Sequence, residues 1–207
     1  MKLFLIPLAF LAGLTTPVSA HAASAVDLNV TGLITPSACE PSLSNGGVYD
    51  LGKIAAKELN VDQPTKLPTH NLQLSISCEA PTLLALEPRD NRLGSSGEVG
   101  TTRFGLGMVN GTVPLGYMSL NLNSIVADGV GMYPIGSSGP STWAPASLLS
   151  HYFLSSFSLT PNPTVPAPVQ QVTAGVLITP TIAPSNTLPL TEEVPIDGSV
   201  TLSMNYL

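Results

Sequence analysis

Charge is scarce in this sequence. Asp, Glu, Lys and Arg make up 10% of its 207 residues, Lys and Arg together number seven, and the net charge is -6. A nucleic-acid binder needs a basic face, which seven cations cannot build. Helices carry Glu, Lys and Arg on their wet side, so the shortage also argues against a helical protein. There are three histidines, His21, His70 and His151, none with a cysteine or carboxylate at metal-ligand spacing. The chain lacks a G-x-S-x-G nucleophile elbow. Gly105-Leu106-Gly107 lacks the third glycine of a dinucleotide fingerprint and opens no helix. With no convergent acid, base and nucleophile, the chain is expected not to be an enzyme and to need no cofactor or metal. Beyond the first residues, no apolar stretch is long enough to span a bilayer.

What is present points to export. Met1-Lys2 supplies one positive charge, and residues 3–14 are almost wholly apolar, the length of a signal-peptide h-region. Pro17 ends that run, and small residues follow at Val18-Ser19-Ala20 and Ala20-His21-Ala22. Cleavage after Ala22 is expected, with Ala20 the next choice, leaving about 185 residues, enough for one domain with its own core. His21 leaves with the leader. Cys39 and Cys78 are the only cysteines. In an exported chain two cysteines most simply pair, and a loop of about 40 residues closed in this way is worth about 4 kcal/mol by the chain-entropy relation. Two free thiols are the alternative, and the spacing excludes a C-x-x-C redox site.

The polar residues are mainly Ser, Thr and Asn, accompanied by 20 Pro and 18 Gly, the vocabulary of strands and turns. Three segments alternate with period two: Val26, Leu28 and Val30; Leu72, Leu74, Ile76 and Cys78; and Val200, Leu202, Met204 and Tyr206. Such alternation predicts half-buried strands. Weaker strands are expected at 48–54, 82–86, 103–109, 115–122, 152–159 and 175–182, and a single helical turn at 55–59. Asn45-Gly46-Gly47, Asp90-Asn91, Asn110-Gly111, Asp128-Gly129 and Asp197-Gly198 supply the turns. Residues 95–100 and 136–145 read as loops, and Pro161, Pro163, Pro166 and Pro168 as an extended crossing that no central strand could hold. The fold class is all-β, a sandwich or barrel.

Certain of these residues resemble a known family. Gly32-Leu33-Ile34-Thr35-Pro36-Ser37-Ala38-Cys39 looks like the first strand of chaperone–usher fimbrial subunits. Asp50-Leu51-Gly52, the alternating strand closed by Cys78, and the final strand with penultimate Tyr206 stand where those subunits carry similar features. A closer likeness is to beta-fimbria-type subunits of Gram-negative bacteria, through Val30-Thr31-Gly32-Leu33-Ile34-Thr35-Pro36, Leu43-Ser44-Asn45-Gly46-Gly47, Asp90-Asn91-Arg92 and Phe104-Gly105-Leu106-Gly107. The chain departs from the pattern twice. Val194 stands where many such subunits place a glycine, Gly198 being the nearest, and the segment ahead of Gly32 is short.

The resemblance implies an immunoglobulin-like β-sandwich lacking its last strand, covering residues 32–207, with 23–31 as an N-terminal extension. It implies a structural subunit assembled by donor-strand exchange, with a periplasmic chaperone, an outer-membrane usher and other fimbrial subunits as partners, and cell adhesion at the bacterial surface as the outcome. Val200, Leu202, Met204 and Tyr206 would form the chaperone-facing groove strand. Val26, Leu28 and Val30 would be the donor row, or else part of the chain's own first strand. The second functional reading is a monomeric or tip-located adhesin that binds carbohydrate. Trp143 would stack on a sugar or plug the end of the sandwich. Asp90, Asn91 and Arg92 would contact the sugar or form a turn with a local ion pair.

Overall fold

The computed structural model describes residues 29, 31, 38–139, 142–162 and 164–207. The expected signal peptide, the row Val26, Leu28 and Val30, and the segment 32–37 lie outside the described residues.

Among the described residues fourteen strands follow in chain order. They are β1 (Cys39–Leu43), β2 (Thr65–Lys66), β3 (His70–Thr82), β4 (Leu84–Asp90), β5 (Phe104–Gly105), β6 (Met108–Val109), β7 (Val113–Pro114), β8 (Gly116–Ala127), β9 (Val130–Gly131), β10 (Tyr133–Ser137), β11 (Ala144–Pro145), β12 (Leu154–Ser158), β13 (Val169–Ile182) and β14 (Val200–Tyr206). Among the described residues the only helical pieces are short 3-10 turns, one of them Ala56–Glu58 where a helical turn is expected. No helix there is long and apolar enough to cross a membrane.

The strands form an all-β sandwich. A seven-stranded sheet has the order β1-β3-β13-β8-β5, with β2 added to β13 and β9 to β8. A five-stranded sheet has the order β11-β10-β12-β4-β14, and β6 and β7 make a small ribbon. Alternation puts Leu72, Leu74, Ile76 and Cys78 of β3, Ala174, Val176 and Ile178 of β13, and Leu120 and Leu122 of β8 into one core. Leu84 and Leu86 of β4 and Phe157 of β12 meet them from the other sheet. Cys39 and Cys78 are disulfide-bonded and directly opposite each other in the β1–β3 ladder.

Several differences from the sequence expectations have clear causes. Residues 48–54 pair with no strand; Leu51 and Ile54 pack instead on a second apolar cluster around Leu67, Leu106, Leu115 and Ile182. β13 begins at Val169, ahead of the expected 175, because irregularities in its ladders at 169–171 and 173–175 interrupt the alternation. β12 is Ser-rich yet buried; Ser156 Oγ donates to Leu84 O at 2.6 Å and Ser158 Oγ to Thr160 O at 2.9 Å, so the hydroxyls are satisfied inside. The turn signals hold where φ must be positive. Asn110-Gly111 (φ 51 and 72) and Asp128-Gly129 (φ 50 and 81) turn the chain from β6 to β7 and from β8 to β9.

Gly116 opens β8 at φ +146, and a Cβ there would overlap the Thr181 carbonyl oxygen on β13. Gly116→Ala is therefore expected to lower unfolding stability by roughly 2–4 kcal/mol, since backbone must move to admit it. Gly131→Ala, with open space around it, should stay within about 0.5 kcal/mol. Urea unfolding of both proteins checks this, and equal midpoints would contradict it.

Candidate functional site

A groove of ≈ 910 Å³ lies between the two sheets. One wall is the inner face of the seven-stranded sheet, through Leu72, Leu120, Val176 and Ile178. The facing wall comes from β14, through Val200 and Leu202. Two irregular segments, 47–59 and 190–199, form its lips. Lys53 Nζ reaches Glu193 Oε1 across these lips at 2.9 Å, with both side chains 90% exposed. Such an exposed pair contributes little to stability. Tyr49 lines the groove and stacks on His70 with centroids 4.2 Å apart.

Of the predicted C-terminal row, Val200 and Leu202 line this groove, while Met204 and Tyr206 are not among its lining residues. β14 has the bounds the alternation implies. Val200, Leu202 and Met204 are half-buried against the main core, and Tyr206 is 36% exposed. Among the described residues β14 is also the last strand of its sheet, paired only with β4. Its hydrogen-bond phase can be read from the ends. Asn91 N–H donates to Ser199 O at 3.0 Å, and Leu207 N–H to Leu83 O at 3.1 Å. In this register 199, 201, 203, 205 and 207 are bonded to β4, so the intervening residues turn their backbone groups the other way. Val200, Leu202 and Met204, whose side chains face the core, therefore also present N–H and C=O along the free edge, as does the exposed Tyr206. Apolar side chains and unpaired backbone on one strand make a template for an added strand.

The remaining predicted residues sit elsewhere. Asp90 is 7% exposed; its Oδ1 accepts from Arg92 N–H at 2.8 Å and its Oδ2 from Gly105 N–H at 3.0 Å. Arg92 grips Asp197 with Nε and Nη2, both at 2.9 Å. Asn91 Nδ2 donates to Ser199 Oγ at 3.0 Å and Thr201 Oγ1 at 2.9 Å. Asn91 and Arg92 thus tie the 90–105 loop to the chain entering and opening β14, while Asp90 braces the loop from within. Trp143 is half-buried just ahead of β11, at the opposite edge of the five-stranded sheet from β14, and its carbonyl accepts from Thr164 Oγ1 at 2.6 Å. β10 and β12 lie between β11 and β4, so Trp143 and Asp90–Arg92 do not converge on one surface. His151 packs edge-on between Phe104 and Tyr152, remote in the sequence from His70.

Sequence reasoning names one wall of the groove and misses the other. Leu72 is legible as part of an alternating run. That Leu72, Leu120, Val176 and Ile178 share a surface opposite Leu202 follows only from the strand order. Among the described residues no group of three or more His, Cys, Asp or Glu could hold a metal ion.

A family model described as a protein of unknown function (DUF1120) matches residues 28–121. That stretch holds both cysteines. The chain is 26% identical to an uncharacterized protein of Escherichia coli strain K12, YhcF, over 91% of this chain and 93% of that one. It is 27% identical to the protein GltF of the same strain, over 92% of this chain and 93% of that one. Neither relative's name states an activity, so the functional reading rests on the groove.

Proposed function

We propose that this chain is an exported structural subunit of a bacterial surface fimbria and not an enzyme. Its groove receives a strand from a periplasmic chaperone and then, at an outer-membrane usher, from a neighbouring subunit, building a polymer that serves adhesion. The observation that carries this reading is the coincidence on β14 of an inward apolar row with a backbone edge that has no partner among the described residues, beside a groove of ≈ 910 Å³. Strand addition uses those two features: main-chain hydrogen bonds supply affinity, and pockets for alternate side chains supply specificity. The Cys39–Cys78 bond supports an oxidising compartment. The likeness to fimbrial subunits in the order of motifs around Cys39, Cys78 and Tyr206 supports the same reading.

The test is periplasmic expression with and without a co-expressed fimbrial chaperone and usher from the same bacterium, followed by electron microscopy of the cell surface. Chaperone-dependent recovery of the subunit and usher-dependent fibres are expected. A stable monomer that accumulates equally well without a chaperone, and forms no fibre with both present, would count against the proposal.

A further inference from the structure

The groove has two borders, and they are not alike. β14 borders it from the five-stranded sheet through Val200 and Leu202, and β1 from the seven-stranded sheet through Leu43, each the terminal strand of its sheet among the described residues. The phase of β1 follows from Glu79 N–H donating to Ala38 O at 3.2 Å. With Cys39 opposite Cys78 and Leu43 opposite Leu74, the residues bonded to β3 are 38, 40 and 42. Cys39, Pro41 and Leu43 therefore turn their backbone toward the free edge.

That edge is nearly without donors. Pro41 has no N–H to offer, and proline on an edge strand is a known way of blunting it. Cys39 N–H is already taken: it donates to the Tyr206 hydroxyl oxygen at 3.0 Å. Among the described residues this is the one hydrogen bond joining β1 to β14. Leu43 N–H is the remaining donor along β1. β14, by contrast, offers the N–H groups of Val200, Leu202, Met204 and Tyr206, none with a partner among the described residues.

The geometry points to a one-sided groove: the Tyr206–Cys39 latch and Pro41 block strand addition at β1 and direct an incoming strand to β14 alone. This rests on the strand-capture reading above and extends it. It gives Tyr206 a positioning role, through its hydroxyl, apart from any contact its ring makes with a partner. It also links the disulfide to the groove, because the bond to Cys78 holds Cys39 where the hydroxyl can reach it. An incoming strand thereby becomes the sixth strand of the five-stranded sheet, and β1 serves as a wall that packs without pairing.

Amide hydrogen exchange on the full chain tests this, using as probe a synthetic peptide with the sequence of residues 23–31. In the free protein, Tyr206→Phe should speed exchange at Cys39 about tenfold, the loss of one net hydrogen bond, while Ser203 and Asn205 stay as in wild type. An unchanged Cys39 amide would overturn the latch whatever the peptide does. With peptide bound to wild type, protection should appear at Leu202 and Met204 and not at Leu43. In the double variant Pro41→Ala, Tyr206→Phe, protection should spread to residues 39 and 41. Wild-type protection at Leu43 equal to that at Leu202 would overturn the one-sided groove and leave strand capture standing. Protection at neither edge would overturn both.

Discussion

Leu202→Asp is expected to abolish strand capture, weakening binding of a complementary strand at least about 100-fold, while the free chain still folds. Leu202 lines the groove from β14 and is half-buried against the main core. In the free chain the open groove lets water reach the new carboxylate, so the cost there should be only about 1–2 kcal/mol. Once a strand closes the groove, the same carboxylate would be sealed among Leu72, Leu120 and Val176 without a partner, and an unpaired buried charge is costly. Ser203→Asp is the matched control: Ser203 is exposed and its backbone bonds to β4. Chaperone pull-down from the periplasm, with urea unfolding of the free chains alongside, separates the two effects. Equal recovery of Leu202→Asp and Ser203→Asp would show that β14 is an ordinary strand facing no incoming partner.

Removing the disulfide by Cys39→Ala with Cys78→Ala is expected to cost about 4 kcal/mol of unfolding free energy, within the usual ~2–5 range for native bridges. The effect should concentrate on β1. Only Cys39 and Leu43 at its ends are even half-buried, and the three residues between them are exposed. Little apolar area therefore holds β1 once the bridge is gone. Exchange of the 39–43 amides should rise more than that of β13 at the centre of the same sheet. Since β1 is one border of the groove, strand capture should weaken too. A loss below about 1 kcal/mol, or uniform loosening of both strands, would contradict this account.

The two alternating segments within the described residues, 72–78 and 200–206, are strands that face the core as the pattern implies, because period two leaves a half-buried strand no other way to hide its apolar residues. The positive-φ turns were legible for a similarly local reason: Asn-Gly and Asp-Gly tolerate a left-handed backbone that other pairs resist. Residues 48–54 misled because apolar content was read as strand content. Leu51 and Ile54 bury their side chains by packing a lip over the second cluster, without any ladder. The buried serines of β12 were illegible, since their partners Leu84 O and Thr160 O become available only when the chain has folded. Asp90-Asn91-Arg92 was visible as a polar trio, but its use depended on Asp197 and Ser199, more than 100 residues away.

By itself the sequence determined the all-β class, the placement of Cys39 beside Cys78 as a pairing to expect, and the facing of β14. Each depends on neighbouring side chains or on composition. Only the tertiary structure decided that β14 and β1 are edges among the described residues, that the groove between them is walled by Leu72, Leu120, Val176 and Ile178, and that the Tyr206 hydroxyl reaches Cys39. Which strand ends a sheet depends on the pairing order of segments far apart in the chain. Alternation sets the face a strand turns inward, and it is silent about which neighbour, if any, takes the strand's backbone.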